Sequence, residues 1–114
     1  FNVNGPAMAA AVAAVRDQSF VEKVRNANRG ELNWILPAMR DLGFEVADSV
    51  ANFYLVDTAP VEGATTEGAV SYLESCGVTP RSGGIDGRLR LTVGKREENK
   101  VVVDSLKAYV EQLK

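Results

Sequence analysis

The chain contains no histidine and one cysteine, Cys76. Without histidine it has neither the commonest metal ligand nor the commonest general base, so hydrolysis by a serine–histidine or cysteine–histidine pair cannot be housed here. A lone thiol excludes an intrachain disulfide and any site built from several thiolates. No apolar run approaches the roughly twenty residues of a membrane-spanning helix, and no signal-peptide pattern is present, which together predict a cytoplasmic protein with no membrane partner. Basic residues are not in excess either: 13 Lys and Arg stand against 15 Asp and Glu, for a net charge of −2. Nucleic-acid binding needs a concentrated basic face, and this balance argues against it.

What is present is the balance of one globular domain: 114 residues, 46% of them apolar and 25% charged. Pro6 and a run rich in alanine predict a first helix from Pro6 to Arg16, small enough in cross-section to pack closely on a neighbour. Ser19 with Glu22 spells a capping box for a second helix. Apolar positions from Phe20 to Leu42 continue that helix to Gly43, with Pro37 expected to kink or split it after Ile35. Residues 44–47 and 52–57 read as strands, with the Asn52 amide expected to tie down the turn between them. A third helix is expected over 66–76, carrying Cys76 on its apolar stripe as a small buried hydrophobe. Residues 78–81 are expected to be extended, 82–87 to form a turn, and 96–113 to form the last helix. Trp34 and Tyr109 fall on helical stripes and are expected in the core. The order predicts an α+β fold, a small and mainly antiparallel sheet covered on one side by helices.

The strand after the turn carries the chemistry. Leu89, Leu91 and Val93 alternate with Arg88, Arg90 and Thr92, so one face is apolar and the arginines lie on the other. An arginine on a rigid strand suits a carboxylate or phosphate, because its planar fork makes two parallel charge-assisted bonds. A solvated strand face would show the same alternation.

Three segments, FNVNGPA at 1–7, ANFYLV at 51–56 and LRLTVGKREEN at 89–99, carry a family signature in that order. The last is the most specific. Together they make the chain, along essentially its whole length, similar to the C-terminal part of the histidinol-phosphate aminotransferase family, pyridoxal-phosphate enzymes of the aspartate-aminotransferase fold. The resemblance implies the small C-terminal domain of a fold-type I aminotransferase, spanning 1–114. In that family the cofactor sits on a lysine of a Ser-x-x-Lys type segment upstream of the matched stretch. The lysines here, Lys23, Lys95, Lys100, Lys107 and Lys114, have no such context, and the first residue is Phe1. The expectation is therefore a fragment, catalytically inactive alone, whose pyridoxal 5′-phosphate is held by an absent large domain.

For the parent, the resemblance implies amino-group exchange between histidinol phosphate and glutamate or 2-oxoglutarate, in a homodimer, during histidine biosynthesis. It assigns Arg90 to the anionic end of the substrate and Arg81, in the GVTPR segment, to a second anion contact. Pro80 stands where the family has an apolar residue, and Lys95 stands where it often has a helix-capping threonine or serine. No catalytic residue is expected within the chain. A threonine-phosphate decarboxylase, or an aromatic or aspartate aminotransferase, would use Arg90 in the same way. From a different class, an independent α+β module binding a small anion is the remaining reading.

Overall fold

Asn4 starts the first helix: its Oδ1 accepts from the Ala7 N–H at 2.8 Å, and Pro6 occupies the first turn. In this computed structural model, which describes residues 1–81 and 87–114, that helix is α1 (Gly5–Arg16). It is followed by α2 (Gln18–Asp41), β1 (Glu45–Val46), β2 (Phe53–Asp57), α3 (Thr66–Ser75), β3 (Leu89–Thr92) and α4 (Arg96–Gln112).

One expectation about α2 is corrected, and of the kink or split expected at Pro37 the split is excluded. Its cap is Asp17 rather than Ser19: the Asp17 carboxylate accepts from the Phe20 N–H at 3.1 Å and from the Ser19 hydroxyl at 3.0 Å. An ionised carboxylate is the stronger acceptor, so the serine becomes a donor inside the helix. Pro37 does not divide α2, which continues to Asp41. Leu36 on one side and Met39 on the other are buried, and that burial holds the last turn despite the missing N–H. Gly43, at a φ of +94°, then ends the helix. Phe44 donates back to the Met39 carbonyl at 3.3 Å, so β1 starts at Glu45 rather than at 44.

The sheet is antiparallel with order β1-β2-β3. Val46, Tyr54, Val56, Leu89 and Leu91 are buried on one face, against Ile35 and Met39 of α2, Ala69 and Leu73 of α3, and Leu106 and Tyr109 of α4. This is the expected α+β fold with helices over one side of the sheet. Burial pushes the Tyr54 phenol above its usual range. Arg40 fastens β1 to α2, donating to the Val46 carbonyl from Nε at 3.2 Å and Nη2 at 2.8 Å.

The turn before β2 is tied by other residues than Asn52. Ser49 Oγ accepts from the Ala51 N–H at 3.1 Å and donates to the Phe53 carbonyl at 2.6 Å, while Asn28 Nδ2 reaches the Ala51 carbonyl at 2.9 Å. Asn52 contributes its main chain, accepting from the Val93 N–H at 2.8 Å. Cys76 is likewise displaced from its expected place. It is the C-cap of α3 and exposed, because Ala69 and Leu73 fill the helix's buried stripe and the chain turns outward before Gly77.

Tyr109 is in the core as expected, its hydroxyl accepting from the Thr65 N–H at 3.2 Å over Gly68. A Cβ at Gly68 would stand 2.5 Å from that hydroxyl, which is why a side chain is missing there. Trp34 is half-buried rather than enclosed, with the Arg96 guanidinium 4.6 Å from its ring centroid. Lys95 leaves α4 with its main chain capped all the same, because Glu98 Oε2 accepts from the Lys95 N–H at 2.7 Å. No helix among the described residues is long and apolar enough to cross a membrane.

Candidate functional site

The extended piece after α3 returns along the free edge of β3 and pairs with it at one point. The Arg81 N–H donates to the Arg90 carbonyl at 3.1 Å, and the Arg90 N–H donates to the Arg81 carbonyl at 2.8 Å. Residues that exchange both bonds in an antiparallel ladder lie about 5.5 Å apart at Cα and project to the same face. Leu89 and Leu91 point inward, so that face is the one without helices. The two arginines expected to act together are therefore direct cross-strand neighbours. The turn expected over residues 82–87 lies outside the described residues, apart from Gly87 at a φ of +71°.

Like charges placed directly opposite each other on a sheet are unfavourable by themselves. Neighbouring cations of this fold are neutralised: Arg88 meets Asp57 at 3.5 Å, Arg40 meets Asp48 at 2.7 Å, and Arg96 meets Glu31 at 3.0 Å. Among the described residues, no carboxylate comes within ion-pair distance of Arg81 or Arg90. Arg90 is half-buried and its guanidinium carbon lies 5.1 Å from the centroid of the Phe53 ring. The register explains the contact, because Leu55 is opposite Arg90 and Phe53 is the next residue on the same face of β2. The arrangement can accept an anion with two forks from adjacent strands over an apolar floor of Phe53 and Leu55.

A second set of residues, absent from the sequence reading, anchors the end of β3. Arg96 Nε donates to both Glu31 oxygens at 3.1 and 3.0 Å, and Asn99 Nδ2 donates to Glu31 Oε2 at 2.8 Å. The bonds from Arg96 hold the Glu31 carboxyl below the usual carboxylate range against the opposing effect of burial, and Asn99 adds to them. Glu31 and Arg96 are 65 residues apart, and nothing in local spacing announces their meeting.

Clefts of about 500 Å³ between α2 and residues 48–50, and of about 380 Å³ between α4 and the end of β3, take neither arginine of the pair in their linings. Lys23, Lys95, Lys100, Lys107 and Lys114 are all exposed on helices or their ends, and none lies on the sheet. No cluster of three or more metal-ligating side chains occurs among the described residues.

The family model described as aminotransferase class I and II matches residues 1–106. A histidinol-phosphate aminotransferase of Paramagnetospirillum magneticum is 38% identical over 113 residues, a match covering 96% of this chain and 31% of that protein. One from Nitrobacter hamburgensis is 34% identical over 115 residues, covering 98% of this chain and 32% of that protein. The chain thus spans about a third of the length of these curated relatives. Among solved structures, the histidinol-phosphate aminotransferase of Sinorhizobium meliloti in complex with pyridoxal-5′-phosphate superposes with a TM-score of 0.79. It is 24% identical, and the match covers 95% of this chain and 30% of that one.

Proposed function

The chain belongs to the class I and II aminotransferase family, and from that premise we propose that it is the small C-terminal domain of a histidinol-phosphate aminotransferase, with Arg81 and Arg90 as its substrate-anion clamp. The observation that carries this reading is the Arg81–Arg90 pair, two arginines directly opposite each other in the backbone ladder, with no carboxylate in ion-pair distance among the described residues. A phosphate offers three terminal oxygens, which two forks can share. The carboxylate of glutamate or 2-oxoglutarate uses the same groups in the other half-reaction.

This chain binds and orients the substrate; it does not hold the cofactor. Pyridoxal 5′-phosphate supplies the electron sink for the amino-group exchange in this family. No lysine here stands in the Ser-x-x-Lys context in which that family carries it. The 114 residues alone therefore neither take up that cofactor at a specific lysine nor transaminate, and the complete enzyme acts as a cytoplasmic homodimer in histidine biosynthesis.

The test is a comparison of amino acceptors and donors with the full-length enzyme. Transamination of histidinol phosphate should exceed that of aspartate or an aromatic amino acid in kcat/KM by at least tenfold. Equal or reversed preference would move the chain to another aminotransferase activity, and transamination by the 114-residue chain alone would overturn the division of labour.

A further inference from the structure

We infer that Phe53 is a positioning residue for the anion clamp, holding the Arg90 guanidinium on its ring; the inference rests on the reading of Arg90 as that clamp. The arginines at 40, 88 and 96 are each oriented by a carboxylate, at 2.7, 3.5 and 3.0 Å respectively. Arg90 sits on the same open sheet face as Arg88, yet its guanidinium carbon lies 5.1 Å from the Phe53 ring centroid, with no such carboxylate among the described residues. The difference has a chemical consequence. A carboxylate would orient the fork by neutralising it and occupying its N–H donors, whereas the face of a ring attracts the cation and leaves donors for an incoming anion.

Phe53 is itself held in place. Its carbonyl accepts from Ser49 Oγ at 2.6 Å, it pairs with Thr92 across the ladder, and the next residue, Tyr54, is buried in the core. The main chain of Phe53 is thus fixed in the sheet, while its ring supports the outer face. Phe53 is the one aromatic residue among 53–57 on that face, since Tyr54 points inward.

The experiment is a double-mutant cycle in the full-length enzyme. Phe53→Leu should raise KM for both histidinol phosphate and 2-oxoglutarate about fivefold, with kcat within twofold and the thermal midpoint little changed. Phe53→Trp, which keeps and strengthens the ring face, should leave KM at or below the parent value. In an Arg90→Ala background, Phe53→Leu should have no further effect. An unchanged KM in Phe53→Leu, or an equal effect of that substitution with and without Arg90, overturns the positioning role while leaving the clamp intact. If Phe53→Leu does not fold, Phe53→Trp decides: a KM raised several-fold in a folded enzyme overturns the inference. If Arg90→Ala alone leaves KM and kcat unchanged, the clamp reading fails and the inference fails with it.

Discussion

Asn99 clamps Gly94 from both sides: its Oδ1 accepts from the Gly94 N–H at 2.8 Å and its Nδ2 donates to the Gly94 carbonyl at 2.9 Å. The same Nδ2 donates to Glu31, so one buried amide joins the residues that follow β3, the start of α4 and the middle of α2. Asn99→Leu should cost about 2–3 kcal/mol of stability, because it strands main-chain groups of Gly94 and removes one of the bonds to Glu31. Asn99→Asp should cost at least as much, since a carboxylate cannot donate to the Gly94 carbonyl and repels Glu31. Urea unfolding followed by circular dichroism checks both, and a loss below about 0.5 kcal/mol would remove Asn99 from this role.

The Glu31 carboxyl is held below its ordinary range by Arg96, so the folded state binds its proton less tightly than the unfolded state does. Its contribution is therefore fully present above the unfolded carboxylate pKa of about 4.3 and fades as pH falls through the lower folded value. Glu31→Gln should be less stable than the parent at neutral pH, and the difference should shrink as the pH is lowered below about 4. The measurement is the urea midpoint of each protein across that range. A difference independent of pH would show that the carboxylate's charge is not what links α2 to α4.

On the proposed reading both anions use one clamp, so Arg90→Ala in the full-length enzyme should reduce kcat/KM for histidinol phosphate and for 2-oxoglutarate by about 2–5 kcal/mol of transition-state binding. Arg90→Lys should recover only part of this, as an ammonium cannot reproduce the fork. Arg81→Ala should harm the phosphorylated substrate more than the dicarboxylate. Steady-state kinetics for the three variants decides it, with circular dichroism to verify the fold. Values within about threefold of the parent for Arg90→Ala would return that residue to a solvated strand face.

None of the residues of α1 is buried, and Met8, Val12 and Val15, together with Phe20 and Val24 of α2, are exposed. An apolar surface of that extent on two successive helices is unusual for a free monomer. The 114-residue chain should self-associate or take up a hydrophobic dye, and Val12→Glu with Phe20→Glu should reduce both. Sedimentation and dye fluorescence provide the readout. A strictly monomeric chain with no dye uptake would contradict the expectation that this face packs against more protein.

Local pattern was enough for the order of the four helices and three strands, though the extended piece at 78–81 forms only a single bridge at Arg81, and for the face of β3 on which Arg90 lies, because a period of two or of 3.6 is a property of consecutive residues. It was enough for the helix stops at Gly43 and Gly77, whose positive φ few other residues adopt. The apolar alternation of 89–93 also sufficed to place Leu89 and Leu91 in the core. Periodicity misplaced Cys76 because the last residue of a helical stripe is buried only if the chain continues over it, and here the chain turns away. Capping pattern pointed to Ser19 because the Ser19–Glu22 spacing spells a capping box, but the helix begins two residues earlier, and its starting point makes Asp17 the cap. The candidate site divides along the same line. That Arg90 is on an open strand face was legible; that Arg81 stands directly opposite it, that Phe53 lies beneath its guanidinium, and that Glu31 anchors the far end through Arg96 were decided by strand register and helix packing. Those contacts join segments far apart in the chain, and only the closing of the tertiary structure brings them together.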